Sequence, residues 1–167
     1  MLASGNRAHT RTSIGAMHVT ARVDYALRAM VELAVGAPQL VKGARIATSQ
    51  SIPLKLLENI LLDLKYGGLV RAQRGFEGGY GLAKPAAEIT LADVIRVVEG
   101  PLANVRGERP ETIGYKGKAE PLRDVWIAVR AALRNVLEAV TIADIAAGEL
   151  PSTIKRMLAK PGAWLPH

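Results

Sequence analysis

Residues 51–83 read SIPLKLLENILLDLKYGGLVRAQRGFEGGYGLA, and the apolar period changes once within them. Up to Tyr66 the side chains Leu54, Leu57, Ile60, Leu61 and Leu64 recur at threes and fours, one face of a helix. Pro53 suits its first turn, where a missing N–H costs nothing, and Tyr66-Gly67-Gly68 stops it. Beyond Gly68, residues 69–73 and 79–83 suit two extended strands, with Arg74-Gly75-Phe76-Glu77-Gly78 as a Gly-rich hairpin tip. These glycines do not make a nucleotide loop, because no Lys-Ser/Thr pair follows and they open no helix. Turn chemistry accounts for them: positive φ at a hairpin tip is cheap only for Gly.

Working upstream, Val23, Ala26, Leu27, Met30, Val31 and Ala34 fall at helical spacing after Thr20, a capping residue, and Gly36 with Pro38 ends the run. A short helix over 44–49 follows. Helix, short helix, turn, helix is the order of a helix–turn–helix. A hairpin directly behind it is the wing of a winged helix.

Downstream, Thr90 is placed to cap a helix over Leu91–Glu99, with Leu91, Val94, Ile95 and Val98 as its apolar stripe. Residues 101–120 hold Gly107, Pro110, Gly114 and Gly117 without sustained period and are expected to form a flexible loop. Leu122, Val125, Trp126, Val129, Leu133, Val136, Leu137 and Val140 then mark a long amphipathic helix. A second short helix is expected over Ile142–Ala147, and residues 148–167 as a loosely held tail. Residues 1–16, polar and without period, are expected to be a disordered leader. The expected division is therefore 1–16, a winged domain over 17–100, a loop over 101–120, a dimerisation region over 121–147, and a tail.

The 167-residue chain carries 22 Lys and Arg against 15 Asp and Glu, a formal charge of +7, and 49% hydrophobic residues. That composition supports a folded core and is compatible with a nucleic-acid surface, without identifying one. Cys is absent, which removes disulfides, thiol nucleophiles and thiolate-held metal. The three His lie near the termini and suggest no metal site. No apolar run approaches a membrane span of roughly 20 residues. Neither a Ser-His-Asp nor a Cys-His set is visible, and no cleft with paired carboxylates, so the chain is read as no enzyme. A cytoplasmic protein without cofactor is expected.

Several stretches, in order, carry a resemblance: Thr20 to Met30 (TARVDYALRAM), Ile52 to Leu61 (IPLKLLENIL), Leu64 to Val70 (LKYGGLV), Arg74 to Ala83 (RGFEGGYGLA) and Ile89 to Gly100 (ITLADVIRVVEG). Together they resemble the Rrf-two family of bacterial winged helix–turn–helix transcription regulators, and the resemblance continues into Pro121–Trp126. It implies a mainly α fold: a winged helix–turn–helix domain with a two-stranded wing plus a long C-terminal dimerisation helix. It implies a recognition helix over Pro53–Tyr66, whose early polar residues Lys55, Glu58 and Asn59 would reach base edges in the major groove. Asn pairs with adenine, Glu accepts from cytosine, and Lys donates to guanine or phosphate. The alternative is an ordinary solvated helix face. Arg74 resembles the family's Arg that enters the minor groove. Thr20, Arg22 and Tyr25 are placed to touch backbone phosphate, with packing as the alternative for Tyr25.

The resemblance further implies a homodimer whose seam holds Leu122, Val125, Trp126, Val129, Leu133 and Val136, although one subunit's core could also take that stripe. Several members of the family bear three Cys in the loop corresponding to 101–120, where they ligate an iron–sulfur cluster. No thiolate exists here, and Glu108, Glu111 and Glu120 are hard ligands unsuited to a cluster. The expected function is sequence-specific binding of a double-stranded DNA operator, most simply as a dimeric repressor, without sensing through a Cys-ligated cluster. The 101–120 loop is either the site of a small-molecule or protein effector or a plain spacer. The rival function is a winged-helix protein-interaction module, such as a chromosome-associated adaptor, that reads no bases.

Overall fold

The computed structural model describes residues 19–166; the expected leader over 1–16 lies outside them. Helix α1 (Ala21–Gly36) starts where Thr20 Oγ1 accepts from the Val23 N–H at 3.2 Å. Satisfying one otherwise unpaired N–H is what favours Thr at a helix start. Its face of Val23, Ala26, Ala29, Met30 and Leu33 is buried.

Helices α2 (Gly43–Gln50) and α3 (Leu54–Tyr66) follow, joined by a tight turn. Ser51 takes the left-handed conformation there (φ 52°), and the Ile52 N–H returns to the Ala47 carbonyl at 2.9 Å. Pairing the last carbonyls of a helix this way ends it within one residue. From α1, Arg28 Nη1 donates to the Gln50 carbonyl at 2.7 Å, a cation at the negative end of α2. The turn is thus held by a backbone hydrogen bond of its own and by a side chain from α1.

Strands β1 (Val70–Gln73) and β2 (Gly79–Leu82) pair antiparallel, with Val70 opposite Leu82 and Gln73 opposite Gly79. Val41, just before α2, exchanges both backbone hydrogen bonds with Tyr80, at 2.8 and 2.9 Å, so the wing is stitched to the helix–turn–helix. Helix α4 (Leu91–Glu99) opens on a reciprocal cap between Thr90 and Asp93. A Cβ on Gly67 would lie 2.5 Å from Val97 Cγ2, which shows how closely α4 approaches the end of α3. Leu57, Ile60, Leu61 and Leu64 of α3 join Met30, Leu33, Ile46, Ile89 and Val94 in one buried core. Each such side chain contributes on the order of 1.5–3 kcal/mol relative to exposure.

The C-terminal third differs from expectation in three ways. Helix α5 spans Leu122–Leu137 only, and α6 (Ile142–Ala147) follows it as a separate short helix. It returns to the winged domain: Ile142 is fully buried in the core, and its N–H bonds the Ile89 carbonyl at 2.9 Å while the Leu91 N–H bonds Val140 O at 3.0 Å. Val140, expected on the α5 seam, is therefore core. Sequence spacing marks both helices as amphipathic but carries no information on which long-range partner each meets. Second, residues 101–120, expected to lack regular structure, contain 3-10 turns at Pro110–Thr112 and Gly117–Ala119, with Pro110 and Ile113 buried. Third, a short helix α7 (Ser152–Leu158) interrupts the expected tail.

Candidate nucleic-acid interface

On α3, Lys55, Glu58, Asn59 and Leu62 are exposed, spaced i, i+3, i+4, i+7, which makes them one face of the helix. The opposite face, with Leu57, Ile60, Leu61 and Leu64, is locked into the core. Burial on one side fixes the rotation of α3 and thereby which side chains look outward. Between this face and the wing lies an open groove of about 660 Å³, lined by Glu58, Asn59, Lys65, Gln73, Arg74 and Tyr80 among others. Of the four residues expected to enter the DNA grooves, three, Glu58, Asn59 and Arg74, are brought together here. Lys55 lies one turn earlier on the same face.

The hairpin tip is shaped by its glycines at one position above all. A Cβ on Gly78 would sit 2.2 Å from the Gln73 carbonyl, so no side chain fits. Lys42, at the start of α2, donates from Nζ to the carbonyls of Gly75 (3.3 Å) and Phe76, which ties the tip to the helix–turn–helix. Arg74 is exposed at the base of this tip and Phe76 is 92% exposed. Lys42 and Lys65 were missed by sequence reasoning. Lys65 lies seven residues beyond Glu58 and could have been found by extending the polar face; Lys42 meets the tip only through a contact 33 residues away.

The three residues expected to face phosphate have partners within the chain. Thr20 caps α1 and donates to the Glu99 carboxylate. Arg22 pairs with Asp63 of α3, both of them partly exposed. Tyr25 is half-buried against the core, with the Arg28 guanidinium 4.9 Å from its ring centre.

The residues expected at a dimer seam lie along α5, none of whose side chains is buried. Leu122 and Val125 are 41% and 50% exposed; Trp126, Val129, Leu133 and Val136 are half-buried. Part of that cover comes from the chain itself: the turn at Pro110–Thr112 lies against α5, and Trp126 Nε1 donates to the Tyr115 hydroxyl at 2.9 Å. Arg130 pairs with Glu111 at 2.5 Å, and Arg96 and Arg134 both pair with Glu138. Hydrogen bonds from Arg96 and then Arg134 hold the Glu138 carboxyl below its ordinary pKa. A hydrogen bond from its own backbone, followed by Arg130, does the same for Glu111.

A core-anchored helix presenting a polar face beside a basic wing defines a winged helix–turn–helix DNA-binding protein. The family model of Rrf2, described as an iron-dependent transcriptional regulator, matches residues 19–148. The chain belongs to the Rrf2 family and is a DNA-binding transcriptional regulator, not an enzyme. A Mycobacterium tuberculosis chain named among the HTH-type transcriptional regulators is 46% identical over 142 residues, 84% of this chain and 88% of that one. The structure of CymR, the global cysteine regulator of Bacillus subtilis, superposes with a TM-score of 0.67 at 31% identity, covering 79% of this chain and 98% of CymR. IscR of T. potens gives a TM-score of 0.62 at 26% identity over 90% of this chain and 93% of its own.

The iron of the family description does not fit the donor set of this chain. The sequence has no Cys, and among the described residues no three His, Cys, Asp or Glu side chains gather as a metal site would require. Among the described residues, no helix is long and apolar enough to cross a membrane.

Proposed function

We propose that the protein acts as a homodimeric, cytoplasmic repressor that binds a sequence-specific operator and blocks a promoter sterically. The groove between α3 and the wing carries this reading: base-pairing chemistry (Asn59, Glu58, Lys55) stands beside a cation suited to a narrow minor groove, Arg74. Thr20, Arg22 and Tyr25, around the start of α1, are the phosphate contacts of this proposal. Arg22 would exchange Asp63 for phosphate, an inexpensive swap because a part-exposed ion pair contributes little. Dimerisation is supported by the exposed apolar side chains of α5, Leu122 and Val125, continued by Trp126, Val129, Leu133 and Val136. Two recognition helices related by a two-fold axis would read two half-sites. Regulation proceeds without a Cys-ligated cluster, through an effector engaging the 101–120 segment.

A mobility-shift titration against the DNA flanking the gene tests the binding, with sedimentation velocity on the same preparation testing the dimer. Saturable binding that survives excess unrelated DNA is expected. The aerobically or anaerobically purified protein should be colourless, and its operator affinity indifferent to nitric oxide. A coloured protein with acid-labile sulfide, or affinity abolished by nitric oxide, would overturn the cluster-free reading.

A further inference from the structure

A cleft of about 460 Å³ lies between α4, the segment that follows it and α5, lined by Arg96, Arg109, Arg130, Arg134, Glu111 and Leu102 among others. Four guanidiniums in one small cleft repel one another unless carboxylates or a bound anion compensate. The chain supplies three carboxylates: Asp93 and Glu138 on Arg96, Glu138 also on Arg134, and Glu111 on Arg130. One positive charge is left over. The donors are also unevenly used. Arg109 forms no ion pair among the described residues, and Arg134 reaches Glu138 through Nε alone, at 3.0 Å, leaving its two terminal nitrogens unpaired. Arg130 engages Glu111 through Nη1 only. Unused donors thus stand on both walls, Arg109 on the segment after α4 and Arg130 with Arg134 on α5.

From this arrangement we infer that the cleft binds a small organic oxyanion, a carboxylate or a phosphate ester. Forked guanidiniums match two oxygens of one such group, and Leu102 offers an apolar wall to its carbon body. The volume exceeds what a bare ion fills. The bound anion bridges α5 to the winged domain, so it favours one placement of α5 over others. This consequence rests on the dimer reading above; the anion site itself does not.

The test is thermal denaturation and calorimetric titration of the full chain with citrate, glycerol 3-phosphate and inorganic phosphate, each at ionic strength matched with sodium chloride. A saturable rise in Tm with citrate or glycerol 3-phosphate, beyond that with chloride, is the expected result. A response to citrate alone assigns carboxylate chemistry, and one to glycerol 3-phosphate alone assigns the phosphate ester. The double variant Arg109→Gln/Arg134→Gln should lose about tenfold or more of the affinity, as charge-assisted bonds are the strong ones. Arg109→Lys, which breaks no native pair, should retain part of it. A Tm that follows ionic strength whatever the anion, an inorganic phosphate response equal to that of both organic anions, or a double variant that responds like the parent, overturns the site. So does loss of operator affinity by the double variant with no anion present, which would make the cleft a DNA contact. Sedimentation of the same samples separates the two readings. A monomer that binds the anion removes the dimer and keeps the site, and a dimer without anion response does the reverse.

Discussion

Arg74 and Asn59 line the same groove, and in the proposed complex they would read different features of a duplex. Asn59 lies on the face of α3 that a major groove would meet, where a bidentate amide distinguishes adenine from the other bases. Asn59→Ala should therefore cost about 1–3 kcal/mol and relax preference at one operator position. Arg74→Ala should cost a similar amount (about 1–3 kcal/mol), with the loss largest at sites with a narrow minor groove. Mobility-shift titrations on the operator and on singly substituted operators check both; equal loss on all sequences would reduce Asn59 to a phosphate contact. At the wing tip, Gly78→Ala drives a Cβ into the Gln73 carbonyl. It should weaken operator binding while leaving the helical circular dichroism unchanged, since the core lies elsewhere.

At the scale of elements, two helix starts sit side by side. Thr90 with Asp93 caps α4 and Thr141 with Asp144 caps α6, and the two Thr residues face each other across an isolated antiparallel bridge. Thr141→Ala removes one cap and should cost about 0.5–2 kcal/mol in urea unfolding. The Ser/Thr-x-x-Asp spacing was readable at both places, but it says only that a helix begins. That α6 begins against the start of α4, and not on the α5 seam, depends on Ile142 meeting a core assembled from residues some 50 to 120 positions earlier. The same junction titrates. Bonds from the Thr141 backbone and hydroxyl lower the Asp144 pKa, and Arg96 and Arg134 lower that of Glu138. In the window below the ordinary carboxylate values, the unfolded chain then binds more protons than the native one. Stability is accordingly full above that window and falls as pH drops through the depressed values. Urea midpoints measured from about pH 6 down to about pH 3 should decline in the parent and less steeply in Glu138→Gln. A parallel decline in both would remove Glu138 from the linkage.

At the scale of the whole molecule, the open question posed by the fold is what covers α5. Trp126 is among the residues expected at the seam, but its indole already donates to Tyr115 of the same chain. Val125, half-exposed on the same helix, is the cleaner test. If two copies of α5 pack together, Val125→Glu places an unpaired carboxylate in the buried seam, at a cost of about 3–5 kcal/mol. The expected outcome is a monomer by sedimentation velocity, with unchanged helix content and much weakened binding to a two-half-site operator. A mutant dimer would place the seam away from Val125.

The winged helix was legible because its signals are local. Thr20 and Thr90 as caps, the three-and-four spacing of Leu57, Ile60, Leu61 and Leu64, and the Gly-rich turn all act within a few residues. The polar face of α3 followed by subtraction, since a helix that buries one side must expose the other. The absence of Cys likewise determined, without coordinates, that this chain offers no thiolate to hold a cluster. The tertiary structure alone decided which apolar stripes meet. Val140 reads as the end of the α5 stripe and Ile142 as the start of a separate short helix, yet both are buried beside the winged domain, and Pro110 and Ile113 in a stretch without period are buried. It also decided the long-range polar contacts, Lys42 to the wing tip and Arg22 to Asp63, and the gathering of four arginines from three segments into one cleft. The physical reason is the same throughout. Helix propensity, capping and turn geometry are properties of neighbours in the chain, whereas burial and ion pairing depend on distances in space that only the folded core sets.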